Sequence, residues 1–424
     1  VTARNDWSST LPTDNNSYFY HSENLSFLFT NAFGWSSSIL NLGTLRASYA
    51  KVGNDTGPYQ IDQYYSLQQT QTPYPMASMG GQLPQFDLQP EETHSWEVGT
   101  NIILLNKRLT FDLTYYYSLS DQQIMNVTLA SSSGYSSKKM NAGEIQNTGW
   151  EVQINGTPVS TKGGFTWDIG LTWWKNKSMV NKLYGDIEFL PLASEFHMTL
   201  EAHVGEPYGQ FYFIDYKRDA FGNKLIDKYG YAIAGERQAM GDINPDWNAG
   251  LSNNLSYKGL NLSFLIDMQK GGEIYSWGDS YRGLFGTRIE SVEGRDEWNA
   301  GTGGFVEEGI NETTGRPNDV AIDPTYRWYN LFNKRIGTEW LVDATNIRMR
   351  EVILGYNLPA KWMDRTPLSS VNISFVARNL FFFYKANKHF DPESGFNSGN
   401  TGNGIEHLSL PSTTSYGFNL RLNF

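Results

Sequence analysis

An all-β fold, a transmembrane antiparallel β-barrel, is what this sequence predicts, and three observations predict it. Long stretches alternate apolar with polar residues at period two, the pattern of a strand with one greasy and one wet face. Aromatic residues make up 15% of the 424, with 13 Trp, 25 Tyr and 24 Phe, which suits interfacial girdles better than an ordinary soluble core. The connections between the alternating stretches are short and long in turn, as where tight turns lie on one side of a membrane and loops on the other.

Taken in order, the alternation predicts about twelve long strands of the roughly 10-residue, membrane-spanning class. The first lies near Thr2 to Ser8. The second runs about Glu23 to Phe33, with Leu25, Phe27 and Phe29 on one face, and the third sets Leu45, Ala47 and Tyr49 against Arg46 and Ser48. The fourth carries Trp96, Val98, Ile102 and Leu104. The fifth is the cleanest: Leu109, Phe111, Leu113, Tyr115 and Tyr117 alternate with Thr110, Asp112, Thr114 and Tyr116. An inward Asp112 on so apolar a strand needs a watery interior.

The sixth strand carries Trp150, Val152 and Ile154, and the seventh Phe165, Trp167, Ile169, Leu171 and Trp173 opposite Asp168. Two more lie near Trp247 to Tyr257 and Leu260 to Met268. The tenth, Ile347 to Leu358, changes phase between Met349 and Val352, which one extra residue at Arg350 or Glu351, a β-bulge, repairs. The eleventh holds Val371, Ile373, Phe375 and Ala377. The twelfth alternates Tyr416, Phe418, Leu420, Leu422 and Phe424 with Gly417, Asn419, Arg421 and Asn423. If this face pattern holds, Leu113→Arg costs about 2 to 4 kcal/mol and Asp112→Asn is nearly silent.

Short turns fall at Asn106 and Lys107, at Thr161 to Gly163, at Lys258 and Gly259, and around Pro359 to Pro367. With Phe424 at the periplasmic face, the long connections all fall outside: about residues 9 to 20, 53 to 92, 118 to 141, 178 to 245, 271 to 344 and 383 to 412. Loops of that length are functional or lack fixed structure far more often than short ones.

Mean hydropathy is −0.46, and no apolar run approaches the roughly 20 residues of a membrane helix. With no Cys, there are no disulfides or thiolate sites. A net charge of −11 argues against nucleic acid. The opening Val1 to Asn5 has neither initiator Met nor signal peptide, so the chain is expected to be mature, trimmed or part of something longer.

No HExxH, P-loop or GxSxG motif occurs, and His21, His94, His197, His203, His389 and His407 are scattered, so neither an enzyme, a metal site nor a cofactor is expected. Glu307 with Glu308, and Asp391 with Glu393, read as solvated loop charge. Trp96, Trp150, Trp167 and Trp173 read as lipid girdle. Tyr275 to Ser291 has helix-like spacing interrupted by Gly283 and Gly286. The candidate ligand platform is the set of loop aromatics Trp277, Tyr281, Trp298, Tyr326, Trp328 and Tyr329, since sugar rings and apolar peptide side chains stack on such faces. Packing among the loops, or against a lid protein, is the competing role.

Several runs resemble the SusC/RagA-like family of TonB-dependent outer-membrane transporters. They are Leu45 to Asp55, Gly143-Glu-Ile-Gln-Asn-Thr-Gly-Trp-Glu151, Gly241-Asp-Ile-Asn-Pro-Asp-Trp247, Ile347 to Pro359, Ala377-Arg-Asn-Leu380, Phe390-Asp-Pro-Glu-Ser394, and Pro411 to Phe418. The resemblance implies that residues 1–424 are the C-terminal portion of a plugged barrel of about 22 strands. It implies that the plug domain, the TonB-contacting segment and the first strands lie outside this chain.

The implied task is import of oligosaccharides or peptides across the outer membrane of a Gram-negative bacterium. A SusD-like surface lipoprotein would serve as lid and the TonB system as energy source; a dimer of transporter–lipoprotein pairs is compatible with it. Uptake of a metal chelate or vitamin fits the same barrel, and a surface glycan-binding or adhesin β protein would also account for aromatic loops.

Overall fold

The computed structural model describes residues 1–68, 74, 76–185, 187–195, 197–395 and 403–424. Two compact units divide the chain: Val1–Pro158, Gly170–Leu190 and His203–Tyr208 form one, and Val159–Ile169, Pro191–Ala202 and Gly209–Phe424 the other. Among the described residues, twelve antiparallel strands form one sheet whose spatial order is the chain order. They are β1 (Thr2–Trp7), β2 (Ser17–Phe27), β3 (Leu40–Asn54), β4 (Glu91–Leu104), β5 (Leu109–Asp121) and β6 (Gly143–Ser160). The remainder are β7 (Phe165–Leu183), β8 (Trp247–Tyr257), β9 (Leu260–Lys270), β10 (Asn346–Asn357), β11 (Ser370–Lys385) and β12 (Ser415–Asn423). No helix among the described residues is long and apolar enough to cross a membrane.

In the first unit the register makes the two faces continuous. Leu25, Ala47, Val98, Tyr115 and Trp150 are successive partners across β2 to β6, an apolar row. The next residues over, Arg46, Gly99, Thr114 and Glu151, form the polar row behind it. A Cβ on Gly99 would come within 2.8 Å of Arg46 Nε. Glycine there lets Arg46 reach across β4 and donate from Nη1 to Asp112 Oδ2 at 2.8 Å, while Asn101 Nδ2 donates to the same oxygen at 2.9 Å.

In the second unit Leu262, Leu354, Phe375 and Phe418 form the corresponding apolar row. The bulge predicted in the tenth strand is present. Arg350 has no partner in either ladder of β10, so Met349 and Val352 return to the same face. Asn253 sits buried on the apolar face of β8, where Trp167 Nε1 donates to its Oδ1 at 3.1 Å. The indole thus satisfies a polar group that the face could not otherwise hold.

The turn at Asn106 and Lys107 is built from three consecutive positive-φ residues, Leu105, Asn106 and Lys107, and that at Lys258 and Gly259 from φ 47° and 88°. One predicted strand is displaced. β2 ends at Phe27, not Phe33, and Phe29–Ala32 make a helical turn instead. The reason is local: Gly43 N donates to Thr30 Oγ1 at 3.0 Å, and the Phe29 ring lies where a Cβ on Gly43 would be. Phe29 leaves the ladder to cover that bare backbone. Several strands also outrun their alternating cores, β6 to 18 residues and β7 to 19.

Candidate functional site

The long connections of the second unit carry a core of their own. Met198, Leu200, Phe211, Phe213, Tyr216, Ile226, Tyr275, Trp277, Trp328, Leu331, Ile336, Trp340 and Ile405 form one buried cluster. Its floor is the strand Gln210–Tyr216, paired with Ala234–Asp242 on one side and with Met198 to Glu201 on the other. Against it pack the helices Trp277–Leu284 and Pro324–Asn333. Both helices start on sequence signals: the Ser276 side chain accepts from Asp279 N, and Asp323 accepts from Thr325 N, with Pro324 in the first turn. The helix expected between Tyr275 and Ser291 is therefore real but short, followed by a 3-10 turn at Ile289–Val292. Gly283 breaks no helix here. A Cβ on it would stand 2.8 Å from both the Trp328 and Trp340 rings, so glycine is what lets them close on the helix.

This core divides the candidate aromatics. Trp277 is 6% exposed and Trp328 3%, both packed within the cluster. Tyr281 is half-buried, edge-on to Trp277 with ring centroids 4.9 Å apart. Trp298 at 41% and Tyr326 at 56% remain exposed, as does Tyr329, which meets Tyr326 edge-on at 6.2 Å. Trp298, with Phe285, Arg295, Asn299, Asp323 and Thr325, lines an open cavity of about 340 Å³. An exposed indole beside amide, carboxylate and hydroxyl groups can stack on an apolar ring face and hydrogen-bond its edge.

Charges expected to be solvated are buried instead. Glu307 is 2% exposed and accepts from Arg327 Nε and Lys224 Nζ, each at 2.6 Å. Burial pushes the Glu307 carboxyl up, but the Arg327 guanidinium and then the Lys224 ammonium more than offset this and leave it below its ordinary value. Arg327 in turn lies over the Trp328 ring at 4.4 Å. Only Glu308 of that pair is exposed. Asp391 is likewise buried, and Glu393 is bound by Arg348 and Arg350. Sequence reasoning missed these pairs because their members lie 20 to 83 residues apart.

Other buried ionisable groups share the loop core. Burial raises Asp279, opposed first by Arg288, whose Nη1 lies 3.1 Å from its Oδ2, and then by His389. Burial, with Arg335 adding to it, lowers His197 to about 4, so the imidazole is neutral where it packs on Phe332 and Trp277. Among the described residues, Glu92, His94 and Asp121 bring metal-ligand atoms within 4.8 Å of one another. Lys51 Nζ, 2.7 Å from Glu92, already supplies a cation there. On the sheet, Leu45, Val98, Leu113, Tyr115 and Trp150 line an almost wholly apolar groove of about 410 Å³, shaped for a hydrocarbon chain rather than a polar ligand.

The family model described as TonB dependent receptor-like, beta-barrel, matches residues 1–380. TonB-dependent receptor P3 of Formosa agariphila is 25% identical over an alignment that takes in 100% of this chain and 43% of that protein. TonB-dependent receptor SusC of Bacteroides thetaiotaomicron is 26% identical, over 80% of this chain and 32% of its own length. Among solved structures, the RagAB peptide importer in its closed-closed state shares the fold at TM-score 0.77 and 20% identity, covering 100% of this chain and 45% of its own. The chain therefore spans less than half the length of these relatives.

Proposed function

The chain belongs to the TonB dependent receptor-like β-barrel family, and from that premise we propose that it is the C-terminal portion of the barrel of an outer-membrane importer. Its cargo is oligosaccharide or peptide, its energy comes through TonB, and a SusD-like surface lipoprotein closes it. Proteins of this family are transport receptors, not enzymes.

The observation that carries this reading is the pairing of a continuous two-faced sheet with loops that hold a separate packed core. The apolar rows suit lipid, the polar rows a watery conduit, and a preformed loop module suits ligand capture or a lid. Likeness to a peptide importer supports peptide as one of the two cargo classes. Trp298 and Tyr326 are the rings available for stacking; Tyr281 packs on Trp277, Phe285 and Phe332, and Trp277 and Trp328 hold the module's shape.

Cells expressing the complete protein should accumulate a labelled oligosaccharide or peptide only when TonB is present, and a surface lipoprotein should co-purify. Accumulation that ignores TonB would overturn the reading. Trp298→Ala and Tyr326→Ala should each weaken ligand affinity by on the order of 1 kcal/mol while leaving the loops folded. Unchanged affinity and unchanged lipoprotein recovery would remove these rings from the mechanism.

A further inference from the structure

Arg350, the bulge residue of β10, is out of register with both neighbours. Opposite it on β11, Asn379 takes φ +52°. A bulge and a left-handed non-glycine residue both cost stability, and their coincidence at one place needs a local reason.

What they produce is a network drawn from five separate stretches. Arg350 donates from Nη2 and Nε to Asp267 Oδ2 at 2.7 and 3.1 Å. From Nη1 it donates to Glu393 Oε2 at 2.9 Å and to Asn379 Oδ1 at 3.1 Å. Arg348, 2% exposed and lying on the Phe382 ring, donates to the same Glu393 oxygen at 2.9 Å and to Ser412 Oγ. Asp391 Oδ2 accepts from Ser412 N at 3.2 Å, and Ser394 Oγ donates to Asp391 O at 2.6 Å, closing a tight turn around Pro392. Thr414 Oγ1 donates to Asn379 O at 2.9 Å. Burying Arg348 and Asp391, and pairing the half-exposed Arg350, Asp267 and Glu393 beside them, adds little net stability, so fold stability alone does not account for the arrangement.

Arg348 pairs with Asp267 on the polar face, opposite the apolar row, and Arg350 reaches the same Asp267 from its bulge. We propose that Arg348 and Arg350 are positioning residues that clasp the segment Asn387–Ser394 onto the polar face of β9 and β10, making it a fixed part of the wall past which cargo moves. The inference rests on the importer reading for its role in transport, but the clasp itself can be tested without it.

Ser394 is buried, so Ser394→Cys in the complete protein, in whole cells, should react slowly with a membrane-impermeant maleimide. Adding Arg350→Gln should raise that rate about tenfold or more, because labelling follows local opening. Asn379→Gly keeps the left-handed backbone while removing the amide contacts, and should raise the rate less. Cargo uptake by Arg350→Gln should show a raised KM with its maximal rate retained. An unchanged labelling rate in both variants overturns the clasp, and faster labelling with unaltered KM overturns its part in transport. If Arg350→Gln does not reach the membrane, Asn379→Gly alone decides by the same criteria. Absence of uptake by the unsubstituted protein counts against the importer reading and leaves the labelling result standing.

Discussion

Two regions of this chain use the same residue types in opposite ways. On the sheet, Trp96 and Trp150 are 57% and 45% exposed; in the loop core, Trp277, Trp328 and Trp340 are 6%, 3% and 0% exposed. A water-soluble module hides its indoles, and the loop core does so. The sheet leaves Trp150 at the end of an apolar row and Trp96 between Tyr49 and Tyr117, an exposure of indoles that is stable only if its solvent is hydrocarbon. Charge is inverted as well. The loop core buries Glu307 with Arg327, whereas the sheet keeps Asp112 and Arg46 on its polar face with partial access to solvent. The two regions are thus built for different solvents, although both follow the rule that a buried charge needs a partner.

The largest effect is expected in the loop core. Trp340→Ala removes a fully buried ring and should cost about 3 to 5 kcal/mol. The loss should be local: proteases should cut between residues 271 and 344 while the heat-resistant migration of the barrel is kept. Loss of both together would mean the loop core is no separate folding unit.

Leu113→Arg should cost about 2 to 4 kcal/mol in refolding into bilayers, because the apolar groove around it would then present a cation to lipid. A value near zero would place that face in water and collapse the contrast between the regions.

The smallest effect is expected at Asp112. Alternation alone expects Asp112→Asn to be nearly silent, but Asp112 holds Arg46 and accepts from Asn101. Loss of a partly exposed, charge-assisted pair should cost about 1 kcal/mol in the same assay. Equal costs for Asp112→Asn and Leu113→Arg would undo the assignment of faces.

Alternation in the sequence was enough for the sheet: about twelve strands in chain order, their two faces, and a bulge at Arg350 or Glu351, which the ladders place at Arg350. Side-chain alternation is a local, period-two property, and a strand exposed to lipid on one face cannot depart from it for more than a residue without repair. Even there a local contact intervened, when Phe29 left the predicted strand to cover Gly43. The loop core was legible only as composition and one short helix, Trp277–Leu284. Whether Trp298 and Trp328 face ligand or interior depends on packing between segments far apart in the chain, and both look alike in sequence. The pairing of Glu307 with Arg327 and Lys224, and of Glu393 with Arg348 and Arg350, depended on the same thing. Such contacts exist only once the loops have folded, because in water a lone carboxylate stays solvated, and only tertiary packing supplies the cations that make its burial tolerable.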